Sequence, residues 1–184
     1  SRLLLLLCLP MASAHRPVSA EAVVEIDRPM VSHAVTGPFE TGVEVFTIQL
    51  SYDQPFAMPL EILVPVRNDL ELHRPAYAVV GPGLPTPTEE EQAWLPFTVD
   101  EGLGVFIERN GDEPRDVYFE NVMRRTMWTS GSFALHLPEA GDYEIWVWSP
   151  NLTTGDFQLG FGVEEDFSGG AWGPIFSSWG DFAW

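Results

Sequence analysis

Residues 137–163, LPEAGDYEIWVWSPNLTTGDFQLGFGV, carry a two-residue apolar alternation that restricts the fold more than any other feature of the chain. Tyr143, Ile145 and Val147 alternate with Glu144, Trp146 and Trp148, and Phe157, Leu159 and Phe161 alternate with Gln158, Gly160 and Gly162. Successive side chains of a strand point to opposite faces, so each run offers one continuous apolar face. Pro138, Gly141 and Asp142 punctuate the start, and Ser149, Pro150, Asn151, Gly155 and Asp156 mark a reversal. The pattern predicts two long antiparallel strands joined by a turn. Such a face demands a second sheet to cover it.

Further strand signals fall at 43–51, where Phe46, Ile48 and Leu50 share a face, and at 58–64, where Met58, Leu60, Ile62 and Val64 do. Shorter β candidates lie at 76–81, 104–108, 116–122 and 132–137, with 22–26 as a first short strand. Clusters of Pro, Gly, Asn and Asp separate them, and no helical apolar period is sustained before the C-terminus. This spacing predicts an all-β, antiparallel, jelly-roll-like β-sandwich. The proline-rich stretch 81–96, GPGLPTPTEEEQAWLP, reads as a stiff surface loop. Asn110-Gly111 fits a tight hairpin turn.

The N-terminus suggests export. Leu3 to Leu9 form an apolar run behind Arg2, followed by Pro10 and the small residues Ala12, Ser13 and Ala14. That is the layout of a secretory signal peptide cleaved after Ala14, and the run is far short of the ~20 residues of a membrane-spanning helix. Cys8 is the only cysteine, and Leu7 stands where a lipobox needs a small residue, so a lipid anchor is not expected. Once residues 1–14 are removed no disulfide can form, and burial alone must hold the fold. The organisation expected is a signal peptide at 1–14, a leader at 15–31, one sandwich domain at 32–166 and an aromatic tail at 167–184. The missing initiator Met and the aromatic stripe ending on Trp184 point to a chain clipped at both ends.

The formal charge of -18 arises from 27 acidic residues against nine arginines, with no lysine. Such a surface repels phosphate backbones and anionic lipid, which argues against nucleic acid as a partner and for a soluble secreted or periplasmic protein.

The segments GVEVFTIQLSYDQPFAMPLEI and LPEAGDYEIWVWSPNLTTGDFQLGFGV together resemble the bacterial pre-peptidase C-terminal (PPC) type of β-sandwich. Gly42, Glu44 and Phe46 match that family's early strand, and Gly141, Tyr143, Gly155, Phe157 and Leu159 match its late strand pair. With PAYAVVGPGLP at 75–85, the layout is also similar to small secreted proteins of uncharacterised function. The resemblance implies a non-catalytic accessory module of the kind that accompanies secreted peptidases. The insertion around 82–96 and the aromatic tail depart from the family pattern.

No HExxH, Gly-x-Ser-x-Gly, P-loop or dinucleotide glycine motif occurs, so no catalytic residue is assigned and no cofactor is required. Two metal readings stay open. Cleavage after Ala14 would expose His15, whose α-amine and imidazole could chelate copper together with His33, His73 or His136. Exported copper carriers and copper monooxygenases use such an arrangement, although His136 alternates with Leu135 and Leu137 and so reads as solvent-facing. Asp112, Glu113 and Asp116 cluster after Asn110-Gly111 in a spacing that could serve calcium or simply form a solvated turn.

Two further features suggest binding. Trp146 and Trp148 share a strand face with Glu144, and in solvent they would form a platform for a glycan, peptide or protein ligand. The structural alternative is that they cover bare backbone at Gly160 and Gly162 on the neighbouring strand. In the tail, Phe167, Trp172, Phe176, Trp179, Phe182 and Trp184 crowd together. They would pack on the domain, dock on a partner or membrane interface, or begin a longer element. The sequence thus reads as a secreted β-sandwich binding or accessory module, with an exported copper protein using His15 and an envelope protein docking through its tail as the alternatives.

Overall fold

The computed structural model describes residues 16–120, 124–130 and 133–164; the signal-peptide run, His15 and the aromatic tail lie outside the described residues. The chain forms β1 (Arg16–Ser19), β2 (Val23–Ile26), β3 (His33–Phe39), β4 (Val45–Tyr52), β5 (Phe56–Pro65) and β6 (Ala76–Gly81). It continues through helix α1 (Glu89–Trp94) to β7 (Gly104–Glu108), β8 (Asp116–Glu120), β9 (Arg125–Thr129), β10 (Phe133–Leu137), β11 (Gly141–Trp148) and β12 (Gly155–Phe161). No helix of the described residues is long and apolar enough to cross a membrane.

These strands make an all-β sandwich. A seven-stranded sheet runs β1-β3-β12-β5-β9-β8, with β10 also paired to β5, and a five-stranded sheet runs β2-β4-β11-β6-β7. The inward rows are those that the alternation marks: Phe46, Ile48 and Leu50 from β4, and Tyr143, Ile145 and Val147 from β11, meet Met58, Leu60 and Ile62 from β5. Phe157, Leu159 and Phe161 from β12 complete that core. Ile48, Ile145 and Leu159 are fully buried. Each such side chain contributes roughly 1.5–3 kcal/mol when it leaves water.

The expected hairpin is corrected. β11 and β12 do not pair with each other: β11 bonds β4 and β6, whereas β12 bonds β3 and β5 in the opposite sheet. A two-residue turn would have kept both strands in one sheet, but residues 149–154 are long enough to cross the ~10 Å between layers. The crossing lets the two apolar faces bury one another. Asn110-Gly111 is likewise not a hairpin turn, since β7 and β8 belong to different sheets. Asn110 adopts a φ of 44°, and its side-chain amide donates to the Pro75 carbonyl at 3.1 Å. The residue type was suited to a left-handed position; the connection it serves is a crossover.

Nor are the sheets purely antiparallel. β1 runs parallel to β3, and β2 parallel to β4. Residues expected as a leader therefore supply one edge to each sheet. Ala20 donates its amide to Thr36 in the first sheet, and Ala22 accepts from Thr47 in the second, so the chain changes layers between them.

Candidate functional site

On its outer side, the second sheet carries Ala76, Ala78 and Val80 from β6 beside Trp146 and Trp148 from β11. The small residues leave room above β6, and the two indoles rise next to it. They are not an open platform: Trp146 is 4% exposed and Trp148 6%. Their cover does not come from β12 either, because Gly160 and Gly162 sit on the other side of the core. Residues 82–103 fold back instead. Trp94 meets Trp148 edge to face at 4.9 Å, Phe97 meets Trp146 at 5.3 Å, and Leu95 packs between them. Edge-to-face aromatic pairs contribute about 1 kcal/mol beyond the area they bury.

Glu144 serves this arrangement. One carboxylate oxygen accepts from the Trp146 indole N–H at 2.8 Å, and the other accepts from the Gln49 amide at 3.0 Å. The three residues singled out as a ligand site are thus brought together as a support for the covering segment.

That segment is more ordered than a stiff loop. Thr88 and Glu91 form a reciprocal capping box, in which Thr88 Oγ1 accepts from the Glu91 amide at 3.2 Å and the Glu91 carboxylate accepts from the Thr88 amide at 2.8 Å. Three glutamates in the first turn favour the positive end of the helix. Hydrogen bonds from Thr88 hold the Glu91 carboxyl below its usual range. Leu95 is extended with a ψ of 149°, as the residue before Pro96 must be, so α1 stops after six residues. Gln92 then fastens the exit: its Nε2 donates to the Phe97 carbonyl and its Oε1 accepts from the Val99 amide, each at 3.0 Å.

Between α1 and the returning chain lies an open cleft of about 540 Å³, lined by Thr88, Glu89, Gln92, Ala93, Phe97 and Thr98 among others. Phe97 is 46% exposed, so one edge of its ring supports the tryptophans while the rest faces solvent. Gln92 and Thr88 are committed to the internal bonds just described. Glu89 and Thr98 supply the remaining polar side chains of the rim. The arrangement offers an apolar surface with one carboxylate and one hydroxyl beside it, which suits reversible binding of a ligand bearing a flat or ring-shaped apolar part and N–H or O–H donors. Sequence reading missed this cleft, although the T-x-x-E of Thr88 and Glu91 was a legible helix start.

The described histidines are scattered. His33 is buried in the core against Phe161, with Nε2 at 3.0 Å from the Arg28 carbonyl. His73 is buried at the far end of β3, against Phe39. Six residues of strand separate His33 from Phe39, roughly 20 Å. His136 is exposed on β10. Asp112, Glu113 and Asp116 are exposed too, and the Arg74 guanidinium donates to the carbonyls of Gly111 and Glu113, placing a cation within that loop. Among the described residues, no three His, Cys, Asp or Glu side chains come together as a metal group.

His73 belongs to a different cluster. Its Nδ1 lies 3.0 Å from Thr153 Oγ1, which in turn lies 2.9 Å from Ser149 Oγ. This chain of bonds ties the turn after Asn68–Leu70 to the β11–β12 crossover. Burial pushes the His73 imidazole down to about 4, and the neighbouring Arg115 charge acts the same way.

No family model matches this sequence, and no curated protein does. Among solved structures, a CocE/NonD family hydrolase from Staphylococcus aureus overlaps 76% of this chain and 26% of its own length, at 12% identity and a TM-score of 0.20. Nothing about activity follows from an overlap of that degree.

Proposed function

We propose that the protein is an exported, non-catalytic binding or accessory module of the PPC-like kind, and that its ligand sits in the cleft beside α1. The observation that carries this reading is the half-exposed Phe97, held over a rigid aromatic floor and flanked by Glu89 and Thr98. Rigid aromatic surface with few polar groups is the usual make-up of a binding site. An acid–base pair or an activated nucleophile needs partners within hydrogen-bond reach. Glu89 is the one titratable group of the cleft, so the lining supports retention of a ligand over its conversion. The acidic first turn of α1, with Glu89, Glu90 and Glu91, favours neutral or cationic ligands. The apolar run behind Arg2 and the small residues before His15 support export.

Calorimetric titration with short proline-containing peptides and neutral oligosaccharides tests the reading. A ligand that binds the native chain is expected to lose about tenfold in affinity with Phe97→Ala, since a stacked aromatic contact contributes on the order of 1–2 kcal/mol. Recovery of a chemically altered ligand would overturn the non-catalytic reading, and undiminished affinity in the variant would remove the cleft as its site.

A further inference from the structure

The described strands leave several sheet edges, and most are guarded. β1 is four residues long and contains Pro17. β7 is covered, because Val105 donates to the Pro85 carbonyl at 2.8 Å and a Cβ on Gly104 would strike Leu84. β2 is also only four residues long and places the charged Glu25 in solvent. β10 exposes only Ala134 and His136.

β8 has none of these protections. It ends the larger sheet, contains neither proline nor glycine, and pairs only with β9 among the described residues. Its three central residues are large and exposed: Val117 at 64%, Tyr118 at 40% and Phe119 at 53%. β-branched and aromatic residues with an open backbone edge are what an incoming strand pairs with.

The surrounding charge selects the occupant. Exposed carboxylates of Asp112, Glu113 and Asp116 precede or begin the strand. At the start of the strand the cations are turned inward: Arg115 stacks over Trp128 at 4.0 Å and donates to the carbonyls of His73 and Glu71. Arg74 is held by the carbonyls of Gly111 and Glu113. A second copy fits poorly, because two chains of formal charge -18 repel as they approach.

We propose that β8 is a docking edge that accepts an extended, basic segment of a partner protein as an additional strand. Backbone hydrogen bonds to the open edge supply the affinity, and alternate apolar side chains of the partner lie on Val117 and Phe119. Arginines or lysines of the partner meet Asp116 and the carboxylates before it. This surface lies on the opposite sheet from the α1 cleft and does not depend on it.

Fluorescence anisotropy with the labelled peptide Arg-Val-Arg-Val-Arg-Val-Arg tests the proposal on the full chain. The peptide is expected to bind. A version N-methylated at alternate residues, and its Glu-Val counterpart, should each bind about tenfold more weakly. Asp116→Arg and Phe119→Ser, checked for unchanged thermal melting, should each weaken binding about fivefold or more. Failure to bind, indifference to N-methylation, equal binding of the acidic peptide, or a dimer in sedimentation that Asp116→Arg strengthens would each overturn it.

Discussion

At the scale of single residues, burial takes the pKa of the His73 imidazole well below its ordinary value. Its folded value of about 4 lies below the 6.5 of the exposed imidazole, so the unfolded chain binds more protons between those limits. The neutral His73 contribution is complete above pH ~6.5 and is lost progressively as pH falls towards ~4, at a cost of about 3 kcal/mol at most. Glu61 and Asp156 work in the other direction. Burial raises both carboxyls, with Glu120 adding to the effect at Glu61, so their protonation favours the fold as pH falls. Comparing native protein with His73→Gln by urea unfolding at several pH values separates the two. The native chain should lose about 2 kcal/mol more than the variant between pH ~6.5 and ~4; parallel curves would contradict the assignment. Ile145, fully buried where β11 meets the opposite sheet, sets the other extreme. Ile145→Ala is expected to cost about 2–5 kcal/mol in the same assay.

At the scale of elements, α1 is too short to be stable alone and depends on its cap and its aromatic underside. Thr88→Ala removes the reciprocal bonds with Glu91 and should cost about 1 kcal/mol. Hydrogen exchange should quicken in 89–99 while the strands stay protected, and protection unchanged in that stretch would show that the cap does not hold the cleft. What the sequence disclosed at this scale depended on pattern. β4, β5, β11 and β12 were legible because their inward residues alternate, and β6 and β7, buried or half-buried on both faces, because Pro, Gly and Asn bound short apolar runs. β3 was hidden because Gly37-Pro38 looks like a turn, whereas both sit within the strand beside β12. β9 was hidden because Arg125, Thr126 and Thr129 blur its alternation. Pairing partners were less legible still: each face of β11 and β12 was correctly read, yet periodicity identifies a face without naming the strand alongside. Glu144, Trp146 and Trp148 were recognised as a unit, but the cover over them comes from a distant insertion.

At the scale of the whole molecule, the fold combines a cysteine-free core with a strongly acidic surface. Arg67 with Asp69 and Arg109 with Glu90, the latter at 4.0 Å, are exposed ion pairs of the described residues. Exposed pairs of this kind contribute little, so repulsion among the excess carboxylates governs the response to salt. Raising sodium chloride from about 20 to about 200 mM should raise the melting temperature by a few degrees. A fall would mean that specific ion pairs outweigh the net charge.

Binding in the α1 cleft is the claim on which the functional reading rests, and amide chemical-shift mapping with a calorimetrically identified ligand tests it most directly. The expected result is a contiguous set of shifts in residues 87–99, the stretch that lines the cleft and includes the Gln92 clasp, with the ligand recovered intact. Shifts concentrated elsewhere on the sandwich, or a ligand returned as product, would contradict it.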